Sequence, residues 1–502
     1  MPPSLPTAWL RPSRTLLPAL TFISIFAGLL YTGLTLHNTE YEPTVVRQAV
    51  EAVQHVASGV QEEIIPDDKP NQHVNWTTFT DYGNDDFCNT FPDPGNIALI
   101  IKTGATELHA KLPTPLETTL RCVREPLIFS DLEQRLGEHQ VHDVLADVTP
   151  SAMEDNKDFD IYRLQQQYVA EGREADLPEL SSLPITVDDW RTEGKSAAWG
   201  LDKYKFLHMI EQTWDLAPNR DWYFFIEGDT YISWPNLLKW LPTLVPNEKL
   251  YYGNAVRIWE YPKELYFGHG GSGFLLSGAL VKDFAVNHQG LAKRWDKRVH
   301  KMWFGDYVLA AALFEELQVR LTDAKPLLTS VDASSLTFSE EVFCRPIVTL
   351  HHVNSQHLND MFQFERTLNG SELLYRDVYH GSFPSGMPSN RTNWDNLDEE
   401  VELDLEDKPS SYEGCERACV DNEQCLQFMF IKSTESQDEE EESEGECHLM
   451  RAIRLGQEHK LEVDKKGGGA GKQWMSGWLR DRIAKWIAEH QGCSIGETSW
   501  PQ

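Results

Sequence analysis

The chain has little positive charge. Against 78 Asp and Glu it sets 45 Lys and Arg, for a formal net charge of −33 at pH 7. Phosphate backbones are bound through Lys and Arg, so this deficit argues against a nucleic-acid partner. Cysteine is scarce as well, with 8 in 502 residues, and four of these cluster late, at Cys415, Cys419, Cys425 and Cys447. No CxxC pair is present, and His448 directly beside Cys447 is badly placed for a zinc ribbon. Cysteines this close together in an oxidising compartment point to disulfides. Part of the acidity is local: Asp438 to Glu442, then Glu444, make an acidic run inside the cysteine cluster. It lacks the spaced ligands and Gly of a calcium loop and reads as a solvated loop. No internal repeat is evident.

One long uncharged stretch stands out. Leu16 to Leu36 is long enough to cross a bilayer, with Arg11 and Arg14 before it and Glu40 and Glu42 after it. The positive-inside rule leaves residues 1–15 in the cytoplasm and carries the rest across. A cleaved signal peptide is the rival reading. Its apolar core is normally shorter, and no small-x-small site follows Leu36, so 16–36 reads as an uncleaved anchor. Asn75, Asn369 and Asn390 begin glycosylation sequons, all beyond that anchor. Residues 37–90 are polar and read as a stem and entry segment. Residues 386–412 read as a linker, 413–486 as a small cysteine-containing module and 487–502 as a tail.

Between stem and linker the pattern is α/β. Residues 96–102 form an apolar run closed by Thr103 and Gly104, and Leu116 to Cys122 has a helical look. Pro126 to Phe129 and His142 to Ala146 are strand candidates, and Leu201 to Trp214 carries apolar residues at helical spacing. Strands alternating with helices predict a parallel-sheet α/β domain. The most informative stretch is Trp222 to Ile232. Five apolar or aromatic residues run into Glu227, Gly228 and Asp229. Such a run predicts a strand buried on both faces, with its carboxylates at the sheet edge where α/β folds bind ligands. Hard oxygen ligands suit Mg²⁺ or Mn²⁺, which are often shared with substrate phosphates. A strand followed by an acidic turn is the plainer reading.

The order of motifs carries a resemblance. It runs through Lys102–Thr106, Gly200–Phe206, Phe225–Leu238, Tyr252–Gly253, His269–Ser277, Phe304–Asp306 and Leu350–Val353. Over residues 91–385 the chain resembles the β1,3-glycosyltransferases that include fringe and core 1 galactosyltransferase, most closely a fungal branch of them. The resemblance implies a GT-A fold and a type II Golgi membrane protein. It also implies an inverting transfer of a sugar, the galactose form, from a UDP-sugar to a glycan or glycoprotein, with Mn²⁺ or another divalent cation. The Cys415–Cys425 spacing with Ser476 to Trp478 resembles a PAN/apple domain, which implies Cys415–Cys447 and Cys419–Cys425 pairs.

Residue by residue, the resemblance makes Asp229 a metal ligand, as the last acid of the family's DxD motif. Glu227 and Gly228 stand where the family has two further Asp, which puts the middle residue's contacts to the donor in doubt. Alignment puts His351 in the role of second metal ligand. His352 is the alternative, because adjacent strand residues face opposite ways. Asp306 matches the second acid of the family's Glu-Asp pair and is the expected base, with Gly305 in place of the first acid. Capping of a helix from Tyr307 to Leu317 is its plainer role. Thr103, Gly104 and Asp202 are the expected nucleotide contacts. Gly271, Ser272 and Gly273 belong to a turn expected beneath donor and acceptor, where Gly lets backbone approach a ligand. Of the nearby aromatics Trp259, Tyr261, Tyr266 and Phe267, any could stack on sugar or fill the core. The alternative function is a membrane-anchored carbohydrate- or protein-binding protein that has lost catalysis and works through its PAN-like module.

Overall fold

A computed structural model describes residues 96–121, 123, 125–185, 196–260, 263–405, 409–434, 445–459, 471–493 and 500. The expected anchor at 16–36, the stem and Asn75 lie outside these. Among the described residues no helix is long and apolar enough to cross a membrane. The strands of the first half are β1 (Ile97–Lys102), β2 (Leu127–Ser130), β3 (Gln134–Leu136), β4 (His139–Asp143), β5 (Trp222–Glu227), β6 (Tyr231–Ile232), β7 (Tyr251–Gly253), β8 (Ala255–Glu260), β9 (Lys263–Gly268), β10 (Phe274–Ser277), β11 (Thr322–Asp323) and β12 (Thr349–Leu350). Eight of them make one sheet in the order β11-β7-β10-β5-β1-β2-β4-β3.

The sheet is mixed, where a parallel one is predicted. β5, β1, β2 and β4 run parallel, while β10 lies antiparallel to both β5 and β7. β5 is buried along Trp222–Ile226 because both faces are covered. Phe225 and Tyr223 join the core on one face, and Phe224 and Ile226 that on the other. The helix α1 (Ala197–Leu216) lies on the first face with Leu201, Tyr204, Leu207 and Ile210 buried, and Ser196 caps it by accepting from the Trp199 amide.

Local chemistry moves two predicted boundaries. The helix expected at 116–122 is Pro113–Glu117, with Pro in its first turn, and it ends where Thr118 leaves helical geometry. The strand expected at 142–146 ends at Asp143, whose carboxylate accepts from the Leu145 amide and opens a 3₁₀ turn over Val144–Asp147. The helix after Phe304 is α2 (Gly305–Leu317), two residues longer at its start than predicted.

A second sheet of five strands is built from 390–392, 471–478, 427–434, 445–450 and 402–403, in that order. Two of its strands, Asn390–Thr392 and Glu402–Leu403, come from the span read as a linker. The helix α3 (Tyr412–Asp421) packs on this sheet and places Cys415 and Cys419 one turn apart and fully buried. Disulfides join Cys415 to Cys447, Cys419 to Cys425 and Cys344 to Cys493. The first two are the expected pairs. Arg482, on α4 (Arg480–His490), donates to the carbonyls of Cys419, Val420, Asn422 and Cys425, which closes the end of α3. The separate two-stranded ladder of β6 and β12 joins the second sheet in one hydrophobic cluster, in which Tyr231 and Leu350 lie with Leu426, Ile453, Trp478 and Ile483. Asn369 and Asn390 are both exposed, as glycan acceptors must be.

Candidate metal centre and base

The strand ends of β5, β1 and β2 lie side by side. Register pairs Lys102 with Glu227 at the edge, so the Lys102 Nζ sits 3.1 Å from the Glu227 carboxylate. Beyond Glu227 the chain turns through Gly228 and Asp229 into β6, which pairs antiparallel with β12. That short ladder sets Ile232 opposite Thr349 and Tyr231 opposite Leu350, and so delivers His351 to Asp229. The Val353 amide donates to the Asp229 carbonyl at 3.1 Å and locks the two segments. Thr230 Oγ1 donates to the Gly271 carbonyl at 2.8 Å, and Thr349 Oγ1 donates to the Ser272 carbonyl at 2.6 Å. Three separate pieces of chain are thus bonded into one floor.

Asp229, His351 and His352 bring ligand-type atoms within 4.8 Å of one another. His351 Nε2 lies 3.3 Å from Asp229 Oδ1 and 3.7 Å from Glu227 Oε2, and His352 Nδ1 lies 3.8 Å from Asp229 Oδ2. The two histidines do not face opposite ways. β12 ends at Leu350, and His352 takes φ 56°, so strand alternation no longer applies. Asp229 Oδ1 and both ring nitrogens of His351 are buried without a hydrogen-bond partner among the described residues. Buried polar atoms are nearly always satisfied, so Asp229 Oδ1 and His351 Nε2, facing each other at 3.3 Å, fit a divalent cation held between them. Gly271 has to be glycine here. A Cβ on it would sit 2.1 Å from His351 Cε1, so the missing side chain makes room for the ring.

Charges alternate along the edge. Asp131, Lys205, Asp202, Lys102 and Glu227 form consecutive ion pairs, with Lys205–Asp131 at 3.4 Å, Lys205–Asp202 at 2.8 Å and Lys102–Asp202 at 2.5 Å. Lys111 continues it from the far side, 3.2 Å from Asp229 and 2.9 Å from Glu107. Burial opposes the charge on Lys102, but Asp202 and Glu227 outweigh it and hold the ammonium protonated. Burial likewise opposes a charged Asp229, yet Lys111 and His351 hold its carboxyl well below the usual range. His351 is disfavoured as a cation by burial, but Asp229 and Glu227 raise it to about 9. A cation in the centre has to displace that proton.

Asp306 stands across Gly270 from Glu227. A Cβ at Gly270 would lie 3.3 Å from Glu227 Oε1 and 3.6 Å from Asp306 Oδ2, so both carboxylates face one space. Asp306 sits in the first turn of α2, two residues after Phe304, the N-cap, and serves the helix end by satisfying a first-turn amide. Its Oδ2 accepts from the Gly270 amide at 2.9 Å and its Oδ1 from the Tyr307 amide at 2.9 Å. Burial pushes the carboxyl up to about 7, against the pull of the Gly270 amide and helped by the Glu227 charge. Gly305 is glycine because a Cβ there would strike the Phe206 ring at 2.1 Å, which leaves no room for an acid.

The other expected contacts divide. Asp202 and Glu227 belong to the charged edge, and Gly228 forms the turn before Asp229. Thr103 lies at the end of β1 with its hydroxyl buried and without a partner among the described residues, while its carbonyl accepts from Lys205 at 2.9 Å. The Gly104 carbonyl accepts from the Glu107 and Leu108 amides and opens the short helix Leu108–Lys111. Ser272 is fully buried; its amide and hydroxyl lie 3.2 Å from His269 Nδ1, and it shapes the floor from within. Gly273 takes φ 79°, a conformation that favours glycine. The sequence reading gave no role to Lys102, Lys111, Lys205 or Asp131. No family model matches the chain, and no curated protein is significantly similar to it.

Proposed function

We propose that this chain is a divalent-metal-dependent, inverting glycosyltransferase of the GT-A kind. In this reading it moves a sugar, galactose first among the candidates, from UDP to a glycan or glycoprotein acceptor. The observation that carries the reading is the Asp229–His351 pair beside Glu227, which faces a half-buried carboxylate, Asp306, across Gly270. A carboxyl raised to about 7 is poised as a base near neutral pH. The resemblance to β1,3-glycosyltransferases and the PAN-like disulfide pattern point the same way. So does the run at 16–36, which would anchor the catalytic part in the Golgi lumen.

Asp229 and His351 would hold the cation, with His352 beside them, and this mixed carboxylate and imidazole set suits Mn²⁺, Fe²⁺ or Zn²⁺. A bound cation supplies Lewis-acid stabilisation of the departing diphosphate. The chain's own residues do the rest. Asp306 accepts the proton of the acceptor hydroxyl, whose oxygen forms the new bond at the anomeric carbon. The bond to the UDP oxygen breaks on the opposite face, and its electron pair leaves with UDP. The Gly270 amide keeps Asp306 aimed. Lys102 balances Asp202 and Glu227, so that carboxylates line the edge without repelling one another. Donor hydrolysis across a panel of nucleotide sugars, with Mn²⁺, Mg²⁺, Zn²⁺ or Fe²⁺, tests this. Release of UDP from one donor with one dominant metal is the expected result. No hydrolysis of any donor with any metal would leave the non-catalytic binding protein.

A further inference from the structure

β8 and β9 form a hairpin outside the main sheet, paired from Ala255 with Gly268 to Glu260 with Lys263. Its two faces differ sharply. Ile258 and Phe267 are buried in the core, and the Phe267 ring lies 5.2 Å from that of Phe304, just before Asp306. The other face carries Arg257 opposite Tyr266 and Trp259 opposite Glu264. Trp259 is 62% exposed and Tyr266 47%. The two rings are diagonal neighbours on one exposed face, and it is this grouping, not the exposure of either one, that marks a binding surface. Arg257 and Glu264 approach to 3.5 Å beside them and supply a donor and an acceptor.

The root of this hairpin is fixed to the reacting site. A Cβ on Gly253 would come within 2.8 Å of Gly268 Cα, so the two backbones pack directly. The Gly268 amide donates to the Tyr251 hydroxyl and the His269 amide to the Asn254 carbonyl, both at 2.9 Å. One residue further on, the Gly270 amide bonds to Asp306. At about 3.3 Å per residue Tyr266 lies roughly 13 Å along the chain from Gly270, and Trp259, opposite Glu264, lies about 7 Å beyond it. A single sugar ring does not span that distance, but a short oligosaccharide does.

Resting on the glycosyltransferase reading, we propose that the Arg257–Trp259–Glu264–Tyr266 face binds the acceptor oligosaccharide beyond the sugar that reacts. Flat aromatic rings cover the C–H face of a pyranose, while Arg and Glu meet its hydroxyls. A protein partner is disfavoured, because a stable interface needs about 800 Å² per side and two side chains of roughly 150–250 Å² each fall short. The test uses the full chain and immobilised tri- and tetrasaccharides of galactose, glucose, mannose and N-acetylglucosamine. Wild-type binding to at least one of them should weaken about tenfold in Trp259→Ala/Tyr266→Ala, with Trp259→Phe retaining most of it. Circular dichroism checks that each variant is folded. Unchanged binding in the folded double variant, or wild-type protein that binds none of the glycans, overturns the subsite. Trp259-dependent binding by a wild-type protein that hydrolyses no donor keeps the subsite and removes the enzyme.

Discussion

In the eight-stranded sheet, β5 is held between β1 and β10 by side chains that are almost wholly buried on both faces. In the five-stranded sheet, the strand 427–434 is covered on one side by α3, which two disulfides staple to its neighbours. The first region has enough apolar surface to hold a buried edge of alternating charges, where ammonium groups and carboxylates neutralise one another. The second is small, and cross-links supply what its core cannot. Among the described residues, unpartnered buried atoms occur in both regions, at Asn396 in the second, but those of Asp229 and His351 face each other at 3.3 Å and offer a carboxylate and an imidazole to a cation.

The largest effect expected from breaking the first region is at the metal centre. Asp229→Ala should abolish transfer and leave circular dichroism unchanged, because the carboxylate lies at a strand end and not in the core. Near-normal turnover in Mn²⁺ would show that the cation binds elsewhere. Next comes the base. Asp306→Asn should lower transfer by about 10²–10⁴-fold while nucleotide binding persists. The wild-type rate should climb as pH rises through about 7, since Asp306 must lose its proton to act. The Asn variant should lack that limb, and a variant that keeps it would place the base on another residue.

The cross-links sharpen the contrast. Cys344 and Cys493 are 149 residues apart, and Cys419 and Cys425 only 6. By loop entropy, replacing the first pair with Ser should cost roughly 5 kcal/mol and the second roughly 2 kcal/mol, read as urea midpoints. Equal losses would mean that native-state strain, not loop length, sets the cost. The smallest effect concerns Lys111, which competes with any cation for Asp229. Lys111→Gln should tighten Mn²⁺ binding about fivefold by calorimetry, the worth of one partly exposed ion pair. Weaker binding would make Lys111 a support of the centre.

β5 was legible because an apolar run ending in acids has few other meanings, and Asp229 and Asp306 followed from motif order. The two cysteine pairs were legible through the same kind of order. The histidine pair was not resolved, because alternation holds only inside a strand, and here the strand stops one residue too early. The buried lysines could not be read at all. Lys205 is 1% exposed with Asp202 one turn before it on α1 and Asp131 meeting it from beyond β2, and the second partner is one that no local pattern records. Gly271 and Gly305 read as ligand contact and lost acid, whereas each makes room for a ring of this chain, His351 or Phe206. The strands within 386–412 were hidden by polar, edge-type sequences too short to show a period.

The Cys344–Cys493 bond encloses the whole five-stranded sheet, from Asn390 to Trp478, within one covalent ring. A protease that cuts once anywhere inside that ring, the acidic run at 438–444 included, releases nothing. The nicked protein would migrate as one chain until it is reduced, and the residues that carry His351 would stay attached to the module beside them.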